Sequence, residues 1–127
     1  MGDRGSIQVM EHETGVTGGP ANPPVLFPVT LFRHWGGAPE AMVELAKAAF
    51  RHASTEKRCQ GPYARGEARA ILALLTMIAV GLDDYSAYLG SSPSDGAGDD
   101  HGNYVLHTYK MRWELEKDGE TLWRSPA

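Results

Sequence analysis

Two stretches of helical period lie side by side in the middle of this chain, with stretches of β period on both sides of them. That arrangement limits the folds available to it. The first helical stretch opens at Ala38-Pro39-Glu40, where proline suits the first turn and Glu40 suits the positive end of the dipole. Met42, Leu45, Ala46, Ala49, Phe50 and Ala53 then fall on one stripe. Glu44 and Lys47 take the wet side, and Arg51 and His52 suit the negative end. The second stretch runs from about Glu67 to Val80. Its stripe is Ala68, Ile71, Leu72, Leu75, Ile78 and Ala79, widened by Leu74 and Met77. So broad an apolar face predicts a largely buried helix, with Gly81 as its stop.

The flanking segments read as strands. In Ser6–His12, Ile7 and Val9 face one way, and Gln8 and His12 the other. Val25–Trp35 is apolar on both faces, which predicts an interior strand. Its pairing is expected from Val29, because Pro28 has no N–H to donate. Tyr85–Gly90 is a short strand. Asn103–Glu116 is expected to be the longest, with Val105, His107, Tyr109, Met111, Trp113 and Leu115 on one face. Asp118-Gly119 is a two-residue hairpin signal. It sets Lys117 opposite Glu120 and Leu115 opposite Leu122, and Glu120–Trp123 closes the hairpin. Segments 13–24 and 91–102 are rich in Gly, Pro, Ser and Asp and are expected to be flexible loops. The expected fold is α+β: a single domain over 1–127, with a mostly antiparallel sheet of about five strands and both helices on one face.

Composition narrows the function. A hydrophobic fraction of 42% supports a real core. A net charge of -4 argues against a broad nucleic-acid footprint and leaves room only for a local basic patch. The lone Cys59 forms no internal disulfide, which favours a reducing compartment. Lys57 and Arg58 beside it favour a thiolate if it is exposed, but no context marks it as a nucleophile. The first residues lack the apolar core of a signal peptide, and Ser6 is a weak match to an acylation signal. The apolar run Ala70–Leu82 is shorter than the roughly 20 residues a bilayer requires. The expectation is a soluble cytoplasmic protein with no membrane segment and no cofactor.

Several groups bear chemistry. Arg33-His34-Trp35 follows the interior strand and precedes Gly36-Gly37, which leave room for a close approach to the backbone. Arginine offers a planar donor fork, histidine changes charge near neutral pH, and tryptophan offers a flat face. Strand alternation puts Arg33 with Trp35 and leaves His34 alone. His107 falls on the apolar face of its strand, where a hydrogen-bonded core histidine is the commoner outcome. Asp83-Asp84 is a pair able to bind a metal or to work as acid and base, or simply a polar exit from the helix. The trio Asp99, Asp100 and His101 offers ligands for a divalent metal, but its spacing matches no calcium loop, and solvating aspartates are the commoner outcome. No phosphate-cradling glycine loop, nucleophile elbow or His-Glu-x-x-His is present. The C-terminal hairpin gathers Tyr104, Tyr109, Trp113 and Trp123, and Tyr109, Lys110, Arg112 and Trp123 suggest an aromatic-basic surface for gripping a partner.

Gly5–Met10, Phe32-Arg33-His34-Trp35-Gly36-Gly37 and Tyr88-Leu89-Gly90 together resemble a group of small uncharacterised proteins from bacteria and their phages. His34-Trp35-Gly36-Gly37 is the most specific part. The chain departs from that pattern at Ser91, where an acidic residue is expected, and in the long 91–102 insertion. The resemblance implies a compact α+β fold and a mobile-element context; it carries no catalytic role.

Three functions follow as expectations. The first is a non-catalytic protein-binding module, such as an acidic inhibitor of a host defence complex, with Arg33, His34, Trp35, Tyr109, Lys110, Arg112 and Trp123 as contacts. The second is a small metal- or His-dependent enzyme on a phosphate-bearing substrate, with His34 or His107 as acid and base. It requires Arg33, His34 and His107 to converge. The third is a homo-oligomer, at its simplest a homodimer, paired through the C-terminal hairpin edge.

Overall fold

A computed structural model describes residues 4–12, 24–55, 63, 65–82, 87–92, 100–109 and 112–126. The elements in order are β1 (Gly5–Glu11), β2 (Val25–Leu26), β3 (Thr30–Arg33), α1 (Pro39–Thr55), α2 (Ala68–Leu82), β4 (Ala87–Gly90), β5 (Asn103–Tyr109), β6 (Arg112–Lys117) and β7 (Glu120–Arg124). The seven strands form one sheet in the order β4-β3-β1-β5-β6-β7, with β2 also pairing β1. Pairing is antiparallel except for β1 against β5.

Strand β1 holds the sheet together. It pairs β3 and β2 on one side and β5 on the other. Gly5 through Val9 are all buried, so the polar side of this strand is covered as well as its apolar side. Ser6 Oγ donates to Asn103 Oδ1 at 2.8 Å, and Asn103 Nδ2 donates to Gln8 Oε1 at 3.0 Å. These bonds supply partners to polar groups that burial would otherwise penalise.

The core follows from the predicted stripes. Ile7, Val9, Leu31, Tyr104, Leu106, Trp113 and Leu115 of the sheet share one buried cluster with Met42, Leu45 and Ala49 of α1 and Ile71, Leu72 and Leu75 of α2. Helix α1 contacts β6 and β7, while α2 contacts β1 and β4. The start of α2 is tied to the sheet by a long-range cap. The Ala68 amide donates to Glu11 Oε1 at 2.8 Å, which places a carboxylate at the positive end of the helix. Two residues earlier in the chain, the carbonyl of Gly66 accepts from Thr108 Oγ1 at 2.7 Å.

Among the described residues the strands number seven, not about five, for two reasons. Val25–Leu26 is a separate strand on β1, and the stretch expected as one long strand is two arms, β5 and β6, paired antiparallel from Tyr104↔Lys117 to Tyr109↔Arg112. A continuous strand would keep one parity throughout. Here Tyr104, Leu106 and Thr108 are buried in β5, then Trp113 and Leu115 in β6. The reversal between the arms, seen in their antiparallel register, accounts for that switch. His107 and Tyr109 therefore lie on the other side of the sheet from Trp113 and Leu115. Met111 lies outside the described residues.

Gly81 does not stop its helix, because α2 continues to Leu82. The Asp118-Gly119 turn forms with both residues at positive φ, 54° and 83°, as a two-residue hairpin of this hand requires. Lys117 pairs with Glu120 as expected. Leu115 instead meets Trp123, because the register shifts between Leu115 and Glu116.

Candidate functional site

The strand leading to Arg33-His34-Trp35 is interior: β3 is fully buried and paired on both sides, by β1 and β4. Its end differs from the expected tip. Arg33 is only 3% exposed, whereas Trp35 is 51% exposed. The strand stops at Arg33, so simple alternation no longer holds Arg33 and Trp35 together. The Arg33 guanidinium folds back, and Nη1 donates to the Gly36 carbonyl at 3.0 Å. His34 and Trp35 are both exposed and meet edge to face, with ring centroids 4.9 Å apart.

The room made by the two glycines is filled by the protein itself. Arg33 lies over Gly36, and a β-carbon on Gly5 would lie 3.0 Å from Gly37 Cα. The buried Tyr104 hydroxyl donates to the Gly37 carbonyl at 2.8 Å. The glycine pair is therefore a packing point for β1 and β5.

His107 is not joined to His34. β1 runs antiparallel to β3 and parallel to β5, pairing Gly5 with Arg33 and Met10 with His107. The two candidate histidines thus lie at opposite ends of β1, separated by roughly 20 Å at the usual rise per residue. The convergence of Arg33, His34 and His107 required by the second expectation is absent.

His107 belongs to a different constellation. Its Nε2 is 2.6 Å from Glu116 Oε1, and its Nδ1 is 2.8 Å from His12 Nε2. Glu116 Oε2 accepts from the Gly119 amide at 3.1 Å, which ties the group to the hairpin turn. With an ionised Glu116 and neutral rings, His107 donates from Nε2 and accepts at Nδ1 from His12 Nε2–H. His12 also stacks on Tyr109 at 4.5 Å, and the Arg112 guanidinium lies 4.2 Å over the same ring. These two partners come from the strands on either side of β5.

His12 and Glu116 are the residues that sequence reasoning missed. Strand alternation placed His12 opposite Ile7 and Val9, but its neighbour on that side depends on the parallel β1–β5 register. Trp123 does not join Tyr109 and Arg112 in a flat surface. It pairs opposite Leu115 and packs on Phe50, with centroids 6.1 Å apart. Arg112 is exposed, and its Nε lies 3.7 Å from Glu114 Oε2, as does Nε of Arg124. Lys110 lies outside the described residues, as do Cys59, Asp83, Asp84 and Asp99.

Asp100 is engaged by Arg4. The Arg4 side chain donates to it from Nε at 3.1 Å, and so does the Arg4 backbone amide at 3.1 Å. The guanidinium bond first, then the amide bond, hold this carboxyl below its ordinary value of 3.8. The His101 amide donates to the Arg4 carbonyl at 3.0 Å. Among the described residues, no three His, Cys, Asp or Glu side chains are grouped to hold a metal. No described helix is long and apolar enough to cross a membrane.

The exposed apolar surface gathers around α2 and its neighbours. β4 is a terminal strand of the sheet, and its Tyr88 and Leu89 are exposed. Leu89 is 53% exposed and Met77 57%. Both line a groove of about 440 Å³ with Phe27, Val29, Leu72 and Ala73. Val80 lies one turn beyond Met77 and is also exposed, as are Val25 and Leu26 of β2. Tyr88 stacks on the buried Phe32 at 5.0 Å.

No protein-family profile, curated protein or solved structure matches this chain.

Proposed function

We propose that the chain is a non-catalytic protein-binding module that takes an extended segment of its partner along β4. In this reading both helices pack on one face of the sheet, and the groove between α2 and β4 receives alternate side chains of the added strand. The observation that carries it is the contrast between the two sheet edges. Edge strands in soluble proteins are normally blunted by charges, proline or bulges. β7 has such protection in Glu120, Arg124 and the register shift on its partner. β4, Ala-Tyr-Leu-Gly, has no charge; it presents Leu89 at a mainly apolar groove on one face and the exposed Tyr88 on the other. Strand addition supplies affinity from backbone bonds and specificity from alternate pockets.

Selection of a displayed random-peptide library on the immobilised protein tests this. Enriched peptides should be apolar at every second position, should protect the amides of 87–90 from hydrogen exchange, and should lose binding in Leu89→Lys and Met77→Glu. Absence of enrichment, or peptides indifferent to both substitutions, would remove β4 as the binding edge.

One observation favours a second reading, a His-dependent enzyme acting on a phosphate-bearing substrate. In this reading the Glu116–His107–His12 chain replaces the absent convergence of Arg33, His34 and His107 as the acid-base group, and Arg112 beside it offers the phosphate donor fork. Turnover of an aryl phosphate that His107→Ala abolishes would establish it; turnover unchanged in that variant would end it.

A further inference from the structure

The opposite end of the sheet carries a surface of different chemistry. Lys47, Phe50, Arg51 and Ser54 are spaced i, i+3, i+4 and i+7 along α1, so they share one stripe of the helix. With Trp123 of β7 and the following Pro126 they line a cleft of about 350 Å³. That is the lower end of the size range for small-molecule sites, which starts at about 300 Å³.

Three features define what fits. The walls are aromatic, because Phe50 is fixed by an edge contact with Trp113 at 5.1 Å and faces Trp123 at 6.1 Å. Two cations, Lys47 and Arg51, stand one helical turn apart on the same stripe. The Ser54 hydroxyl oxygen is buried and has no hydrogen-bond partner among the described residues. A buried hydroxyl is normally satisfied, so an acceptor brought into the cleft would complete it.

The neighbouring cleft on the same helix sharpens the assignment. It is lined by Pro39, Glu40, Val43, Glu44 and Leu122, so its charged groups are acidic. An anion is repelled by the first part of α1 and attracted by the next turns. The whole chain has a net charge of -4, so the Lys47–Arg51 pair is a local feature, not part of a general basic surface. Lys47 reaches Glu44 at 3.8 Å, but that pair is exposed and weak, so Lys47 can turn toward the cleft.

We propose that this cleft binds a small organic carboxylate with an aromatic or alkyl body. The body lies against the Phe50–Trp123 aromatic wall. The carboxylate takes the planar donor fork of Arg51 and the ammonium of Lys47, and the Ser54 hydroxyl donates to it. This site is separate from the β4 edge and does not depend on the strand-addition reading.

The test uses 4-phenylbutyrate and its neutral amide as probes, with the full chain observed by nitrogen–proton NMR. The Trp123 indole signal is assigned from Trp123→Phe. The acid should shift that signal saturably, and the amide should bind about tenfold more weakly, since only the carboxylate engages both cations. Arg51→Gln and Lys47→Gln should each weaken the acid by about fivefold, the scale of one exposed charge contact, and leave the amide unchanged. Both positions are on the helix surface, and unchanged melting confirms that the variants fold. No saturable shift at Trp123, equal binding of acid and amide, or an acid affinity untouched by Arg51→Gln would each overturn the proposal.

Discussion

The guanidinium of Arg33 occupies the space that a β-carbon on Gly36 would need. Its Cζ lies 2.7 Å from that position, and its Nη1 holds the Gly36 carbonyl at 3.0 Å. Gly36 has a φ of +85°, in the region that L side chains rarely adopt. Gly36→Ala therefore meets backbone strain and a buried side chain together. Its expected cost is about 2 kcal/mol or more by urea denaturation. A loss below roughly 0.5 kcal/mol, the scale of a neutral surface change, would show that Arg33 does not depend on the missing β-carbon.

Glu11 caps α2 from another element. Glu11→Ala should cost about 1 kcal/mol and speed hydrogen exchange at the first-turn amides, above all at Ala68. Glu11→Gln keeps an acceptor and should lose less. Unchanged exchange at Ala68 in the alanine variant would count against the cap.

The pair of Asp100 and Arg4 gives a pH dependence of known sign. Arg4 holds the Asp100 carboxyl below its ordinary value in the folded state. The folded protein thus binds this proton less readily than the unfolded chain does. Its contribution is fully present above the unfolded value and is lost as pH falls through the lowered folded one. The melting difference between the native chain and Asp100→Asn should be greatest near neutral pH and shrink in acid. A difference that grows in acid would contradict the pairing.

Glu116 joins His107 to the hairpin turn. Glu116→Ala removes the acceptor of both His107 Nε2 and the Gly119 amide and should cost about 1–2 kcal/mol. In the native chain, with neutral rings, nitrogen NMR should find the His107 proton on Nε2 and the His12 proton on Nε2. Finding the His107 proton on Nδ1 would reverse the direction of the chain.

Features set by neighbours along the chain were legible. The apolar stripes located α1 and α2 within a few residues, and Asp118-Gly119 located its turn because few residues tolerate two positive φ values in succession. The interior character of β3 was legible from Leu31 and Phe32, apolar on opposite faces. What stayed hidden depends on partners distant in sequence. Tyr109-Lys110-Met111-Arg112 contains no Gly, Pro or Asn, so nothing local announced two strands instead of one. Arg33 read as an exposed binding group, because its burial depends on a fold-back over Gly36. His12 and His107 are 95 residues apart, and only the parallel register of β1 and β5 brings them together.

That register also governs how the chain is made. Of the described strands β1 leaves the ribosome before the others, and Ser6 must wait for Asn103, 97 residues later, to close the sheet on that side. Contacts of such high order slow folding, because a long loop is closed before it is rewarded. During synthesis the nascent β1 therefore stays open along that side, and the sheet reaches its native topology only when β5, β6 and β7 emerge.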